Sequence, residues 1–141
     1  MSGHPSREPL LLTVDDSSVL RLSLMELFRP YRCRILQAGD GREGLAVIRE
    51  HHPDLVLLDY NMPVLDGLGL LRELRADPAI ARTPVIMLTA NNAPQTLAAA
   101  ARLGVRDHVV KPYHGPALLA KAARLVKLVP RDGGLQTAGD P

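Results

Sequence analysis

The sequence predicts an α/β fold, a doubly wound sandwich built on a five-stranded parallel sheet. Two observations support this prediction. Short apolar runs alternate five times with longer amphipathic stretches, which is the pattern of βαβ units with helices on both faces of a sheet. Polar residues directly follow four of the five runs, where doubly wound sheets bind their ligands.

Five apolar runs have the length and composition of strands. The third is apolar throughout, as expected of a strand covered on both faces, whereas the second is more polar, as expected nearer a sheet edge. In chain order the predicted strands span residues 10–14, 32–37, 55–58, 84–88 and 105–110.

Five stretches with helical periodicity follow these strands. The first begins after a run of capping residues at 15–18 and ends at Pro30, and the fourth ends at Gly104, a residue type common just past a helix. The second spans 42–51, and the third begins at a turn at Asp66 and carries Leu68, Leu71 and Leu74. The fourth spans 94–103, and the fifth spans 115–129 with Val126 and Val129 facing inward.

Strict alternation with right-handed crossovers favours the flavodoxin-like strand order 2-1-3-4-5. The 141 residues then divide into an N-terminal extension at 1–9, one domain at 10–129 and a flexible C-terminal tail at 130–141, which is rich in glycine and proline. We expect no further domain.

Composition excludes several functional classes. Aromatic residues make up 3% of the chain and tryptophan is absent, which argues against a base-stacking nucleic-acid platform. The apolar runs are too short to cross a bilayer, so no membrane association is expected. Cys33 is the single cysteine, which precludes an intrachain disulfide and fits a cytoplasmic location.

The predicted strand ends carry three carboxylates, one hydroxyl and one ammonium: Asp15, Asp16, Asp59, Thr89 and Lys111. Considered one at a time, these residues have ordinary structural explanations. Asp15 and Asp16 could cap the first helix, Asp59 could be a loop carboxylate, Thr89 could cap a turn and Lys111 could be a surface lysine. Strands 1, 3, 4 and 5 are neighbours in the predicted sheet, however, so the five side chains converge. Crowded carboxylates raise one another's pKa, and a divalent cation relieves that repulsion. Hard oxygen donors point to Mg²⁺.

Four sequence runs at these positions resemble the receiver domain of two-component response regulators. The match covers residues 10–129 and rests on TVDDS at 13–17, LLDYNMPVLDG at 57–67, TA at 89–90 and VKPY at 110–113. Each run alone is weak evidence, but their combination in this order is specific.

The resemblance implies a metal and a phosphorylation site. Asp59 is the expected phosphoacceptor and also a Mg²⁺ ligand. Asp16 is expected to bind the ion directly, Asp15 through water and Asn61 through its backbone carbonyl. The donor is then the phosphohistidine of a sensor histidine kinase or of a histidine phosphotransfer protein.

The remaining roles also follow from the resemblance. Thr89 and Lys111 are expected to contact the phosphoryl group, with Lys111 paired to Asp59 beforehand and its bond to Pro112 cis. Asn61 and Asn91 occupy positions that control water access to the acyl phosphate. The chain is expected to be a stand-alone, cytoplasmic phosphoprotein and not an enzyme that turns over an external substrate.

Output is expected through proteins that dock on the surface of helix 4, strand 5 and helix 5, or through onward phosphorelay. Receivers often carry Tyr or Phe three residues before the lysine, and this chain carries His108 there. The hypothesis is that His108 reports phosphorylation to a docked partner. A solvent-facing strand residue without a switch role is the equal alternative.

Three alternative functions remain. An aspartate-nucleophile phosphohydrolase is disfavoured because its Asp-x-Asp pattern is replaced by the adjacent Asp15 and Asp16. A flavin- or nucleotide-binding domain is disfavoured because neither G-x-G-x-x-G nor a P-loop occurs. A degenerate receiver that acts only as a scaffold is disfavoured by the complete set of five site residues.

Overall fold

Five strands alternate with five helices in the computed structural model, which describes residues 7–90 and 94–131. The strands are β1 (Leu10–Val14), β2 (Arg34–Ala38), β3 (Leu55–Asp59), β4 (Val85–Thr89) and β5 (Asp107–Val110). The helices are α1 (Ser18–Phe28), α2 (Gly41–His51), α3 (Gly67–Ala76), α4 (Pro94–Arg102) and α5 (Gly115–Ala123). No helix in these ranges is long and apolar enough to cross a membrane.

The sheet is parallel throughout and has the predicted order β2-β1-β3-β4-β5. All five residues of β3 are buried, and β2 is partly exposed at one edge, as its more polar sequence indicates. The register aligns the carboxyl ends of the strands, since Val14 pairs with Leu58 and Thr89 pairs with Val110. The residues that follow β1, β3, β4 and β5 therefore meet at one end of the sheet.

Alternating side chains of the buried strands form two apolar layers. In β3, Val56 and Leu58 pack in the layer beneath α2 and α3, and Leu55 and Leu57 pack in the layer beneath α1 and α5. All four side chains are completely buried. Because a fully buried side chain of this size contributes about 1.5–3 kcal/mol, both layers hold the sheet firmly.

Side-chain caps fix where three of the helices begin, and Asp40 caps α2. The Ser17 Oγ accepts the N–H of Leu20 at 3.2 Å at the start of α1. The Asp66 Oδ1 accepts the N–H of Gly69 at 2.8 Å at the start of α3, which confirms the turn and helix start predicted at Asp66. Each cap satisfies a backbone donor that the first turn of a helix leaves unpaired.

The fifth helix is shorter than predicted, because it ends at Ala123 rather than at residue 129. The Val129 carbonyl accepts the N–H of Arg32 at 2.7 Å, and Pro130 forms an antiparallel bridge with Tyr31. These bonds require an extended backbone before Pro130, a conformation that a following proline favours. Val129 was predicted to face inward but is 39% exposed, whereas Val126 is buried from the turn after the helix.

Arg75, at the end of α3, joins three segments through backbone carbonyls. Its guanidinium donates to Leu103 at 2.7 Å, to Ala81 and Thr83 at 2.8 Å, and to Gly104 at 3.1 Å. Burial lowers the pKa of Arg75 from its ordinary value. These bonds fix the loop between α4 and β5, where Gly104 has φ of +76°.

Candidate functional site

Asp59 is the last residue of β3, and its side chain is almost completely buried. The Lys111 Nζ, beyond the end of β5, donates to Asp59 Oδ1 at 2.8 Å and to Asp15 Oδ2 at 3.3 Å. The pairing of Lys111 with Asp59 was predicted from the sequence. One ammonium thus bridges two carboxylates that belong to different strands.

Asp15, Asp16 and Asp59 form one acidic cluster. Each offers a carboxylate oxygen, and these oxygens all lie within 4.8 Å of one another. Asp15 is buried and its Oδ1 accepts the N–H of Ser17 at 2.9 Å, whereas Asp16 is exposed. The cluster therefore has two buried, hydrogen-bonded carboxylates and a third that faces solvent.

Burial and crowding make the charge on Asp59 unfavourable. Burial raises the pKa of Asp59, and the nearby charge of Asp15 raises it further, against hydrogen bonds from Lys111 and from the backbone of Asn61 that lower it. Burial alone would lower the pKa of Lys111, but the hydrogen bond to Asp59 and the charges of both carboxylates raise it. Three carboxylates thus face one cation, which favours the binding of a second.

The loop that follows Asp59 is held close to it by Gly67. A Cβ at Gly67 would lie 2.8 Å from the Asp59 carbonyl oxygen and 2.9 Å from the Tyr60 Cα, so no larger residue fits. The Gly67 N–H also donates to the Tyr60 carbonyl at 2.9 Å. This closure leaves Asn61 exposed, two residues after Asp59 and at the rim of the cluster.

Thr89 ends β4 beside Asp59, because Asp59 pairs with Leu88 in the sheet. Its side chain is buried, and its carbonyl accepts the N–H of Lys111 at 2.8 Å. The Lys111–Pro112 bond is cis, as the resemblance implied. The structure thus brings Asp15, Asp16, Asp59 and Lys111 together and places Thr89 at the adjacent strand end. Asn91 lies outside the described residues.

His108 lies on β5, opposite Met87 of β4, and is half-buried. Its N–H donates to Asp107 Oδ1 at 2.8 Å, and its carbonyl accepts from the Lys121 Nζ at 3.3 Å. Lys121 also bonds Asp107 Oδ1 at 2.9 Å and so ties α5 to β5. The backbone at His108 is therefore held in place, whereas its side chain lies on the opposite face from the buried Val109.

Arg21 supports the site, although it was not predicted from the sequence. Its guanidinium donates to the Asp15 carbonyl and, at 3.0 Å, to Gln37 on β2. Arg21 lies one turn into α1, so its bond joins the helix to the strand end that carries the acidic pair. A lone arginine on a helix carries no sequence signal for such a bond.

A five-stranded parallel sheet of this order, with an acidic cluster and a paired lysine at its carboxyl end, defines the class of receiver-like signalling domains. A family model described as the response regulator receiver domain matches residues 11–123. The chain belongs to this family, whose members are signalling domains rather than enzymes that turn over an external substrate.

Curated relatives of two lengths match this chain. Chemotaxis protein CheY-3 of Vibrio cholerae is 34% identical over 116 residues, which are 82% of this chain and 89% of that protein. The probable transcriptional regulator ycf27 of Porphyridium aerugineum is 34% identical over 119 residues, 84% of this chain but 48% of that protein. The chain therefore spans about half the length of some relatives and most of others.

Solved structures show the same fold. Chemotaxis response regulator CheY4 of Vibrio cholerae has a TM-score of 0.79 and 28% identity, over 85% of this chain and all of that one. The receiver domain of sensor histidine kinase PA1611 from Pseudomonas aeruginosa has a TM-score of 0.76 and 28% identity, over 84% and 98%. The latter was solved with a magnesium ion coordinated in its active site cleft.

Proposed function

We propose that the chain is a phosphorylation-dependent switch whose phosphoacceptor is Asp59. The phosphoryl donor is the phosphohistidine of a sensor histidine kinase or of a histidine phosphotransfer protein. The observation that carries the proposal is the position of the Asp59 carboxylate, 2.8 Å from the Lys111 Nζ and within a cluster of three carboxylates.

The phosphoryl transfer is a displacement at phosphorus, in which the Asp59 carboxylate replaces the imidazole of the donor. An Asp59 carboxylate oxygen forms a bond to phosphorus while the phosphorus–nitrogen bond of the donor breaks, and the electron pair of that bond stays on the imidazole. Charge spreads over the phosphoryl oxygens during such a transfer, so positioning and electrostatic stabilisation supply most of the catalysis. Lys111 stands beside the attacking oxygen and offsets this charge.

The acidic cluster fits Mg²⁺ as the cofactor. Its hard oxygen donors suit this ion, which uses one or two carboxylates and keeps several waters. We assign Asp16 as a direct ligand, Asp15 as a ligand through water, and Asp59 and the Asn61 carbonyl as the other protein ligands. Bound Mg²⁺ neutralises negative charge on the transferred phosphoryl group. The magnesium ion in the active site cleft of the related PA1611 receiver supports magnesium as the ion.

Thr89 and Lys111 bind the phosphoryl oxygens after transfer. The Thr89 hydroxyl belongs to the strand next to that of Asp59 and can donate one hydrogen bond, and the Lys111 ammonium can donate up to three. Exchange of the Asp59 contact of Lys111 for one with the phosphoryl group would couple phosphorylation to β5.

The output runs through the surface of α4, β5 and α5, or through onward phosphorelay. We assign the receiver to residues 10–129 and place it in the cytoplasm, where its single cysteine stays reduced. Half-buried His108 lies on this surface and can report phosphorylation to a partner. His108→Ala is then expected to change the ratio of partner affinities for the phosphorylated and unphosphorylated forms, with the phosphorylation rate unchanged.

Intact-mass measurement after incubation with acetyl phosphate and Mg²⁺ tests the proposed phosphoacceptor. We expect one phosphoryl adduct on the wild type and none on Asp59→Asn. Asp66→Asn is the matched control, because asparagine also caps a helix and Asp66 lies in the same loop, so this variant should be phosphorylated. An adduct on Asp59→Asn, or none on the wild type, would contradict the proposal.

A further inference from the structure

Six arginines lie at the end of the sheet opposite the acidic cluster, where the strands begin and the helices end. They are scattered through the sequence, but each βα unit returns the chain to this end. All six are exposed, and their side chains make no hydrogen bond or ion pair with another described residue. This basic edge consists of Arg32, Arg34, Arg82, Arg102, Arg106 and Arg124.

The carboxylates at the same end of the sheet do not neutralise the basic edge. Four of them pair with other cations: Asp54 with Arg7, Glu26 with Arg29, Asp77 with Arg49 and Asp107 with Lys121. Glu8 and Glu50 have no arginine or lysine partner among the described residues. The basic edge therefore keeps a clear excess of positive charge, whereas the opposite end of the sheet carries the acidic cluster.

Helix dipoles account for only two of the six arginines. Arg102 ends α4 and Arg124 follows α5, and a cation is favourable at both positions. The other four lie just before a strand or at its first residue, where the dipole is small. Such a collection of unpaired cations on one surface attracts negatively charged partners.

Arg75 places three of these arginines around one buried cation. Its guanidinium bonds the two carbonyls that flank Arg82 and two carbonyls that lie between Arg102 and Arg106. The Arg106 N–H also donates to the Val85 carbonyl at 2.9 Å. Because Arg75 binds carbonyls rather than a carboxylate, its own charge adds to that of the three exposed arginines.

We propose that the basic edge binds the phosphate backbone of duplex nucleic acid without reading its sequence. All six residues are arginines, whose planar guanidinium groups bind phosphate oxygens in pairs. The edge reaches from β2 to β5, which is four interstrand spacings or about 19 Å. That width suits the repeated phosphates of a duplex better than it suits a short acidic peptide.

This mode of binding agrees with the composition of the chain. An aromatic content of 3% argues against base stacking, but contacts to the phosphate backbone need no aromatic residue. The acidic cluster stays exposed to its own partners at the other end of the sheet, so a bound duplex would not cover Asp59.

Fluorescence anisotropy with a labelled duplex of mixed sequence tests the proposal. The logarithm of the association constant should fall linearly with the logarithm of the salt concentration, by about 0.9 for each phosphate that is neutralised. Replacing Arg82, Arg102 and Arg106 together by glutamine should reduce this slope by about 3. A duplex of shuffled sequence should bind equally well.

Arg42→Gln is the matched control for Arg102→Gln. Both residues are exposed arginines, but Arg42 lies at the start of α2, near the acidic cluster, and pairs with Glu73. Arg102→Gln should reduce the salt slope by about 1, and Arg42→Gln should leave it unchanged. The two variants change the net charge equally, so a difference between them reports the position of the charge.

Three results would overturn the proposal. The first is no binding of the duplex at low salt. The second is a salt slope that is the same in the wild type and the triple variant, with the melting temperature of the variant unchanged. The third is stronger binding to phosphatidylglycerol vesicles than to the duplex at the same salt concentration, which would assign the basic edge to a lipid surface instead.

Discussion

The ammonium of Lys111 lies 2.8 Å from the carboxylate of Asp59, although the two residues are 52 positions apart in the chain and their strands are separated by β4. The same ammonium lies 3.3 Å from Asp15. Lys111 therefore compensates the two buried carboxylates of the cluster, and the exposed Asp16 is left facing solvent. This asymmetry makes Asp16 the carboxylate whose charge is most available to an incoming cation.

Replacing Asp16 by alanine should weaken Mg²⁺ binding and abolish phosphorylation without unfolding the protein. The attraction between two unit charges a few ångströms apart is about 1 kcal/mol in water and about 4 kcal/mol near a protein surface. Loss of the Asp16 charge should therefore lower the affinity for Mg²⁺ roughly tenfold or more. Loss of one repelling carboxylate should also raise the melting temperature in metal-free buffer. Calorimetric titration with Mg²⁺ and thermal unfolding measure both effects.

Glu50→Ala serves as the control for this variant, because Glu50 is an exposed acid on α2, away from the cluster. It should leave Mg²⁺ affinity unchanged. Normal Mg²⁺ binding and phosphorylation by Asp16→Ala would remove Asp16 from the metal site.

Thr13→Val should stabilise the fold. The Thr13 hydroxyl is completely buried in β1 and has no hydrogen-bond partner among the described residues. A buried, unpaired hydroxyl costs about 1–3 kcal/mol, so we expect the free energy of unfolding in urea to rise by about 1 kcal/mol. Thr83→Val is the matched control: the Thr83 Oγ1 donates to the Ile80 carbonyl at 2.8 Å, and its loss should cost about 1 kcal/mol. If both variants changed the free energy of unfolding by the same amount and in the same direction, the unpaired Thr13 hydroxyl would not be destabilising.

Val64→Asn should also raise the free energy of unfolding, through the backbone. Val64 has φ of +72° and is 77% exposed in the loop after Asp59. A left-handed conformation costs a residue other than glycine about 1–2 kcal/mol, and asparagine tolerates it better than a β-branched residue. We expect a gain of about 1 kcal/mol. Val19→Asn, at a similarly exposed site in α1, should give no gain, and a loss at Val64 would show that the conformation carries no strain.

Asp107 should make a pH-dependent contribution to stability. Burial would raise the pKa of Asp107, but hydrogen bonds from the Lys121 ammonium and the His108 N–H outweigh it and lower that pKa. The charged form of Asp107 is therefore more stable in the folded state than in the unfolded state. The stabilisation is fully present above the unfolded pKa of about 3.9 and disappears as pH falls through the lower folded pKa.

Urea unfolding of Asp107→Asn from pH 7 down to about pH 2.5 measures this effect. The variant should be less stable than the wild type by up to about 1 kcal/mol at pH 7, because the ion pair is partly exposed, and the difference should vanish in acid. Lys121→Met should show the same loss at pH 7. A deficit of Asp107→Asn that stays constant with pH would mean that its cause is packing rather than charge.

Local sequence signals predicted most of the fold because they agree with the long-range packing. Continuous apolarity marked β3 as the central strand, and Asp66 marked the start of α3. The fifth helix was predicted too long because Leu125 and Val126 keep helical spacing. Val126 is in the core and Leu125 packs against it, but both lie in the turn after the helix. What ends the helix early is the pairing of Val129 and Pro130 with residues 31–32, which local periodicity does not encode.

The site was predictable to the extent that topology alone assembles it. Once β1, β3 and β5 are aligned, the carboxylates and Lys111 must converge at one edge. The contacts of the two arginines, by contrast, depend on where the ends of their long side chains lie. Arg75 binds four backbone carbonyls, and Arg21 binds the Asp15 carbonyl. Sequence spacing holds no information on those endpoints.

Chemical trapping of the phosphorylated residue shows directly whether Asp59 is the phosphoacceptor. A phosphohistidine donor and Mg²⁺ are added to the wild-type chain, and the acyl phosphate is then reduced with borohydride, which converts a phosphorylated aspartate to homoserine. Peptide mass spectrometry locates the modified residue. We expect homoserine at position 59 alone. Homoserine at position 15 or 16, or unmodified aspartate at all three positions, would contradict the assignment of Asp59 as the phosphoacceptor.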